Sequence, residues 1–378
     1  MSTLKVTNIE SPSGGGVNAK ITDINGGQLS NRNLIINGAM LIDQRNAGSS
    51  VTVDDANNYF AADRFKFGIS SSPTGEGTLQ QVSDGPDGFE KSNKFTVTTA
   101  DSSIPATQSY NLMQEIEGQN VSNLAWGSSA AETVTFSFYV KTSLNGTFGG
   151  SIQNSARDRS YPFTYAISSS EANTWVRREI TIAGDTSGTW LTTNGVGLRV
   201  LWGIGNGSSR TASAGAWAAS DARGATGQVQ VIGTNSATFQ VTGVQLEVGE
   251  VATAFEHRSF GDELARCQRY YYMIADGNSK SIVSGAIYAT NNFYSVFTFP
   301  VVMRAAPTLD SSSGSNYFDL LSDGVSDNFN AVLLGNSSTT AAELRAHSSE
   351  GLSGATAGHA AWMRTNNSAA HIALTAEP

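Results

Sequence analysis

The chain has 378 residues, a formal net charge of -9 and only 15% charged residues, so nonspecific nucleic-acid binding is not expected. No stretch approaches the roughly 20 apolar residues that span a bilayer, and no signal peptide is visible, so membrane insertion is not predicted. The single cysteine, Cys267, excludes an intrachain disulfide. Short runs of β-branched and aromatic residues alternate with Gly, Ser, Thr and Asn, a composition typical of an all-β protein.

Residues 1–33 contain too few apolar residues to bury a core of their own, and they include the glycine-rich run Pro12–Gly16. Two interpretations stay open for this segment. It is either a tail without fixed order or an arm that orders against a partner.

From Leu34 onward, strand-like runs follow one another at the spacing of a β-sandwich. Leu34–Ile42 predicts a buried strand with a turn or bulge at Asn37-Gly38. In Thr133–Lys141, the apolar side chains occupy alternate positions, as in a strand with one packed face. Residues 34–257 are therefore predicted to form the first β-sandwich.

The stretch Val241–Tyr272 begins with the two-residue period of a strand and then changes to a helical period. Within it, residues 258–272 are predicted to form a short hinge helix, because acidic residues come early and arginines late, the order that a helix dipole favours. Leu264, Cys267 and Tyr271 recur at helical spacing. Since three adjacent tyrosines cannot all point inward, we expect these residues to pack against other chains around a three-fold axis.

Residues 273–378 form a second strand-rich region, predicted to be a C-terminal β-sandwich. Pro300 and Pro307 flank a short apolar segment. Each predicts a strand end or an edge strand, because proline has no backbone N–H to donate to a β-ladder. Serine and asparagine dominate the connections, as at a variable surface tip.

Several phrases of the sequence resemble those of bacteriophage tail-fibre and receptor-binding virion proteins of marine and cyanobacterial phages. They are NLIINGAM, QEIEGQNVSNLAWG, TVTFSFYVKTSLNGTF, NTWVRREITIAGDTSGTW and VTGVQLEVGEVATAFEHRSFGDELARCQRYYY, together with the opening MSTLKVTNIESPSGG. The resemblance covers about residues 1–275. It implies a virion-anchoring arm at 1–33 and a jelly-roll sandwich similar to a carbohydrate-binding module at 34–257, with a surface for sugar.

Catalytic and metal-binding residues are not predicted. Glu115 and Glu117 lie two apart on a predicted strand, which places both carboxylates on one face, as a glycosidase requires. A solvated face is favoured, because a catalytic pair needs one raised pKa and nothing in the sequence buries either acid. The four histidines lack metal-ligand spacing, so no cofactor is predicted. A structural calcium ion stays open as an alternative because acid-rich loops such as Asp84–Asp87 offer oxygen ligands, but no loop has the pattern of a dedicated calcium site.

Aromatic side chains are the remaining candidates for binding, because their rings can stack on the apolar faces of sugars. Trp175 and Trp202 lie inside strand runs and are predicted to be core residues. The candidates for glycan contact are those in loops of small residues and in the C-terminal region, namely Trp190, Trp217, Tyr294, Tyr317 and Trp362.

Together these features favour a structural component of a phage virion, assembled in the host cytoplasm and located on the tail. We expect a homotrimeric fibre that binds tail, adaptor or nozzle proteins through residues 1–33 and host cell-surface polysaccharide through residues 273–378. Two alternatives stay open: a capsid or adaptor decoration protein, and a tailspike enzyme that cleaves polysaccharide.

Overall fold

A computed structural model describes residues 30–70 and 73–378. The predicted arm at 1–33 therefore lies almost entirely outside the described residues. Within those ranges the chain is an all-β protein with two short α-helices, which confirms the predicted fold class.

The first part of the chain contributes fourteen strands and one helical turn, which runs directly from the end of a strand. In chain order these elements are β1 Val51–Val53, β2 Asn58–Phe60, β3 Lys66–Ser70, β4 Glu76–Val82, β5 Ser92–Thr99, β6 Ser109–Glu117, α1 Gly118–Val121, β7 Val134–Thr142, β8 Gly146–Asn154, β9 Ser160–Ile167, β10 Val176–Ile182, β11 Val196–Asn206, β12 Thr211–Ala212, β13 Gly224–Ala225 and β14 Thr238–Val248. Short 3-10 turns lie at Ser122–Leu124, Ser208–Arg210 and Val231–Gly233.

Two six-stranded antiparallel sheets form the first sandwich, in the orders β1-β4-β5-β14-β7-β10 and β2-β3-β6-β11-β8-β9. Alternate side chains of facing strands fill the space between them, including Phe136 and Phe138 of β7 and Trp202 of β11, all fully buried. The predicted sandwich and the predicted core position of Trp202 are thereby confirmed. The core position predicted for Trp175 is wrong: it precedes β10 and is half-buried, with its indole N–H donating to the Asp84 carboxylate at 3.2 Å.

The predicted strand at Leu34–Ile42 is wrong, although the segment is buried. It forms no strand but crosses β14 in an irregular path, with Asn37 and Met40 at φ values of 60° and 57°. The Gly38 carbonyl accepts a hydrogen bond from the amide of Val244, and a Cβ on Gly38 would lie 2.2 Å from the Val244 carbonyl oxygen. Glycine is required there because the two backbones approach so closely.

The second part of the chain begins with a helix and continues in ten strands. These elements are α2 Phe260–Gln268, β15 Tyr271–Asp276, β16 Ser281–Ala289, β17 Asn292–Thr298, β18 Thr308–Ser311, β19 Phe318–Ser322, β20 Val325–Phe329, β21 Leu333–Gly335, β22 Ala341–His347, β23 Ala360–Thr365 and β24 His371–Thr375, with a 3-10 turn at Ser348–Glu350.

A seven-stranded sheet of order β20-β19-β23-β16-β17-β22-β21 packs on a three-stranded sheet of order β15-β24-β18. The second core lies between them and includes Phe293, Leu320 and Met363 from the larger sheet and Ile372 from the smaller one. This confirms the predicted C-terminal sandwich.

Helix α2 is shorter than the predicted range 258–272. The Ser259 side chain caps its first turn by accepting a hydrogen bond from the Asp262 amide, and Arg266 lies in its last turn, as the charge order predicted. Tyr271 and Tyr272 were assigned to this helix, but they begin strand β15 because they pair with Thr375 and Leu374 of β24.

The two sandwiches are held together at a polar contact region that we call the domain junction. The Glu117 carboxylate accepts hydrogen bonds of 2.9 Å from Nε and Nη2 of Arg269 and from the Tyr270 hydroxyl. The Arg64 guanidinium lies 3.5 Å from the centre of the Tyr270 ring and also pairs with Glu377 near the chain end. These contacts fix segment 258–272 on the first sandwich, so it is not a free hinge.

Candidate functional site

The outward face of the seven-stranded sheet, which we call the tip face, exposes large apolar side chains. Tyr288, Val296 and Trp362 are 80%, 73% and 41% exposed. They point outward because alternate residues of the same strands, such as Ile287 and Met363, fill the second core. Large exposed apolar groups on one sheet face are a recognised mark of a binding surface.

A concavity of about 490 Å³ lies beside Trp362, and we call it the tip groove. Leu321 of β19 and Ser284 of β16 lie opposite Trp362 in the two neighbouring strands. The turn Asp323-Gly324, with φ values of 52° and 75°, joins β19 to β20 and forms one wall. The groove therefore combines an aromatic ring with hydroxyl and carboxylate groups.

The position of Trp362 is supported by a neighbouring ion pair. Arg364 donates to the Asp319 carboxylate at 2.8 Å from Nε and 2.6 Å from Nη2, and Asp319 is 1% exposed. The Arg364 guanidinium lies 5.9 Å from the centre of the Trp362 ring. This pair holds β19 and β23 in register at the edge of the groove.

Of the other C-terminal candidates, Tyr294 shares the tip face and Tyr317 does not line the groove. Tyr294 is half-buried on β17, with its ring 5.6 Å from that of Tyr288 and the Arg345 guanidinium 5.0 Å from its centre. Tyr317 precedes β19 and packs against the second core. Tyr288 is a further aromatic residue of the C-terminal region for which the sequence left core packing and sugar contact open, and its position on β16 places it on the tip face.

The first-sandwich candidates, Trp190 and Trp217, form a cluster with Trp126. The three ring centres are 4.7 to 5.5 Å apart, with interplanar angles of 77° to 81°. The indole N–H of Trp190 donates to the Ser187 carbonyl and that of Trp217 to the Ala183 carbonyl. Both rings are half-buried, so their exposed edges are smaller platforms than Trp362 offers.

The residues predicted to contact other chains are instead packed within this one. Cys267 and Tyr271 are 0% and 2% exposed, and Leu264 packs with Ile36 and Ile42 of the first sandwich. Leu264 and Cys267 of α2 are covered by the irregular segment that precedes β1. This corrects the assignment of Cys267 and Tyr271 as chain-to-chain contacts, while the trimer itself stays a prediction.

The solvated face predicted for Glu115 and Glu117 is also wrong, because they are 5% and 1% exposed. Glu115 pairs with Lys66 at 2.5 Å and with Arg199 at 2.6 Å. Despite its burial, those two cations hold the pKa of Glu115 below its usual value. Arg269 pairs with Glu117 in the same way, so both carboxylates are held by internal cations. The lowered pKa of Glu115 is the opposite of the raised pKa that a catalytic acid needs.

A ladder of charged groups crosses the three-stranded sheet beside the domain junction. His371 on the central strand β24 lies opposite Asp276 of β15, and its Nε2 atom is 3.4 Å from Oδ1 of Asp310 on β18. The Tyr271 hydroxyl donates to the other oxygen of Asp310 at 3.0 Å. The hydrogen bond to Asp310 raises the pKa of His371, and the same bond lowers the pKa of Asp310.

This ladder predicts a pH-dependent contribution of His371 to stability. Its pKa is raised above the ordinary value of 6.5, so the bound proton favours the folded state. The contribution should be complete below about pH 6.5 and should disappear as the pH rises through the raised pKa. Denaturant unfolding of the wild type and of His371→Gln between about pH 5.5 and pH 8.5 measures it. The stability difference between the two proteins should shrink with rising pH; a constant difference contradicts the coupling.

Across residues 30–70 and 73–378, no group of three or more His, Cys, Asp or Glu residues has the arrangement of a metal site. In the same ranges no helix is long and apolar enough to cross a membrane. The absence of a cofactor stays a prediction.

The sequence matches no family model and no curated protein. Among solved structures, the chain is similar to the enzymatically active domain of tailspike protein 4 of bacteriophage CBA120, with 10% sequence identity and a TM-score of 0.31. The match covers 57% of this chain but only 21% of the tailspike chain. A putative sugar binding protein from Bacteroides thetaiotaomicron (11% identity, TM-score 0.28) is covered over its full length by 57% of this chain. A CBM4 structure (12% identity, TM-score 0.26) is covered over 97% of its length by 56% of this chain. At these identities and TM-scores the likenesses carry no argument about what the chain binds.

Proposed function

We propose that this chain is an adhesion protein of a phage virion that binds host-surface glycan at the tip face. One observation carries the proposal: Trp362 is 41% exposed beside a groove of about 490 Å³, on a sheet whose other face packs on the second core. An indole ring offers an apolar platform to the C–H groups of a sugar ring. Ser284 and Asp323 offer hydrogen-bond partners to its hydroxyl groups.

The place of the chain in a tail fibre rests on the sequence phrases that resemble those of phage fibres. In this proposal residues 1–33 bind the tail, adaptor or nozzle, and three chains present three tip faces. A shallow groove binds each glycan weakly, and several copies on one particle raise the effective concentration until attachment is secure.

We further propose that the protein binds glycan without cleaving it. Support comes from Glu115 and Glu117, whose carboxylates are held by Lys66, Arg199 and Arg269. An assay for new reducing ends after incubation with host polysaccharide tests this point, and sugar release would favour the tailspike alternative.

Replacing Trp362 by alanine tests the binding site. We expect the affinity for bacterial surface polysaccharides, measured on a glycan array and then by titration, to fall by about 2 kcal/mol, roughly thirty-fold, because an aromatic anchor is lost. Phe260→Ala is the matched control: its ring is 60% exposed but lies on α2, away from the tip face. Equal binding by wild type and Trp362→Ala would overturn the assignment.

Point substitutions suit this question better than removal of residues 273–378. Glu377 pairs with both Arg45 and Arg64 of the first sandwich. Deletion would remove this carboxylate from two largely buried guanidinium groups, so the remaining sandwich would be destabilised as well as lacking a tip.

A further inference from the structure

A second concavity, of about 430 Å³, lies at the domain junction, and we call it the junction pocket. The first sandwich contributes one wall and the three-stranded sheet contributes the other. Its lining includes Asn58, Tyr59 and Phe60 from β2, and Asp276, Asp310 and His371 from the other side. Pockets of this size between domains commonly bind small ligands.

The guanidinium group of Arg45, which lines this pocket, is already paired with acidic residues of the protein. The Arg45 guanidinium is stacked between two rings, 4.1 Å from the centre of Phe60 and 3.6 Å from that of Tyr271. It also lies 3.4 Å from Asp63 and 3.2 Å from Glu377. Arg45 therefore forms part of the wall and has no unbalanced charge with which to attract an anion.

Unused hydrogen-bond acceptors face the pocket from the three-stranded sheet. Asp276 is exposed, and its charge helps to raise the pKa of His371 on the neighbouring strand, but among the described residues its carboxylate accepts no hydrogen bond. Asp310 accepts from Tyr271 and from His371, and a carboxylate has about four acceptor positions in all. The pocket thus presents carboxylate acceptors beside the half-buried ring of Tyr59.

We propose that the junction pocket binds a saccharide unit that carries hydroxyl groups and no acidic group. Adjacent sugar hydroxyls donate to the Asp276 and Asp310 carboxylates, while the C–H face of the ring packs on Tyr59. An acidic sugar is rejected because its carboxylate would lie against Asp276 and Asp310, and protonated His371 balances only one of these two charges while Arg45 is neutralised by Asp63 and Glu377. The inference deepens the proposed function by adding a second saccharide site, and it depends on that function only for the class of ligand.

The test uses the full chain with ¹³C-methyl-labelled methionine, because Met273 lines the pocket. Methyl glucoside and methyl galactoside are titrated at neutral pH in parallel with the corresponding methyl uronates, up to about 100 mM. We expect the neutral sugars to shift the Met273 methyl signal, with dissociation constants at least about ten-fold lower than those of the uronates. The buried Met40 and Met363 methyls are internal references.

Asp276→Asn should weaken the neutral sugars about ten-fold and reduce the discrimination against uronates, because one acceptor and one repelling charge are lost together. Asp87→Asn, at an exposed position between β4 and β5, is the control and should change neither value. A Met273 signal unmoved by neutral sugars, or moved equally in Asp276→Asn, overturns the inference. Trp362→Ala should leave the Met273 shift intact, so failure at the tip groove and failure at the junction pocket are distinguishable.

Discussion

Replacing Glu117 by alanine is expected to lower the free energy of unfolding by about 3 kcal/mol. Glu117 is 1% exposed and accepts hydrogen bonds from Arg269 and Tyr270, so its removal leaves a partly buried guanidinium and a buried hydroxyl without their acceptor. Burial, reinforced by Glu117, raises the pKa of Tyr270 to about 12, so its hydroxyl remains a donor at neutral pH. Guanidinium unfolding followed by tryptophan fluorescence measures the loss.

Glu179→Ala is the matched control for this substitution. Glu179 also pairs with an arginine, Arg177, but its side chain is 45% exposed on edge strand β10. Exposed pairs contribute little, so we expect a loss below about 0.5 kcal/mol. A loss below about 1 kcal/mol for Glu117→Ala would show that the junction pair does not hold the two sandwiches together.

Trp202→Ala should cost about 4 kcal/mol, because it opens a cavity at the centre of the first sandwich. The Trp202 ring is fully buried, and its centre lies 5.4 Å from those of Phe136 and Phe138. The same denaturant titration measures the change, with the midpoint falling and the slope preserved.

Trp202→Phe distinguishes the loss of packing from the loss of the indole N–H group. The indole N–H of Trp202 is buried and makes no hydrogen bond within the described residues, so phenylalanine keeps an aromatic ring and removes an unpaired donor. The cost should be below about 1.5 kcal/mol. Equal losses for Trp202→Ala and Trp202→Phe would contradict the packing explanation.

Local patterns predicted the elements whose period is regular. The alternation in Thr133–Lys141 corresponds to β7, and the change of period after Val248 corresponds to the start of α2 at Phe260. The position of Trp202 inside a strand run placed it in the core, although the same reasoning was wrong for Trp175, which is half-buried. In each case, the residues that determine the structure are neighbours in sequence.

Long-range contacts determined what the sequence could not predict. Cys267 is buried by Ile36 and Ile42, more than two hundred residues earlier in the chain. The sequence predicts that Glu117 is solvated, because only the fold brings Arg269 next to its carboxylate. Trp362 was a candidate by residue type alone, and its neighbours Ser284 and Leu321 become visible only through the order of strands in the sheet.

The most direct test of glycan binding at the tip face is a crystal structure of the full chain soaked with an oligosaccharide from the polysaccharide that binds best. We expect ordered sugar density in the tip groove, with one ring stacked on Trp362 and hydroxyls within hydrogen-bond distance of Ser284 or Asp323. Density confined to another surface, with the tip groove empty at a ligand concentration that saturates binding in solution, would contradict it.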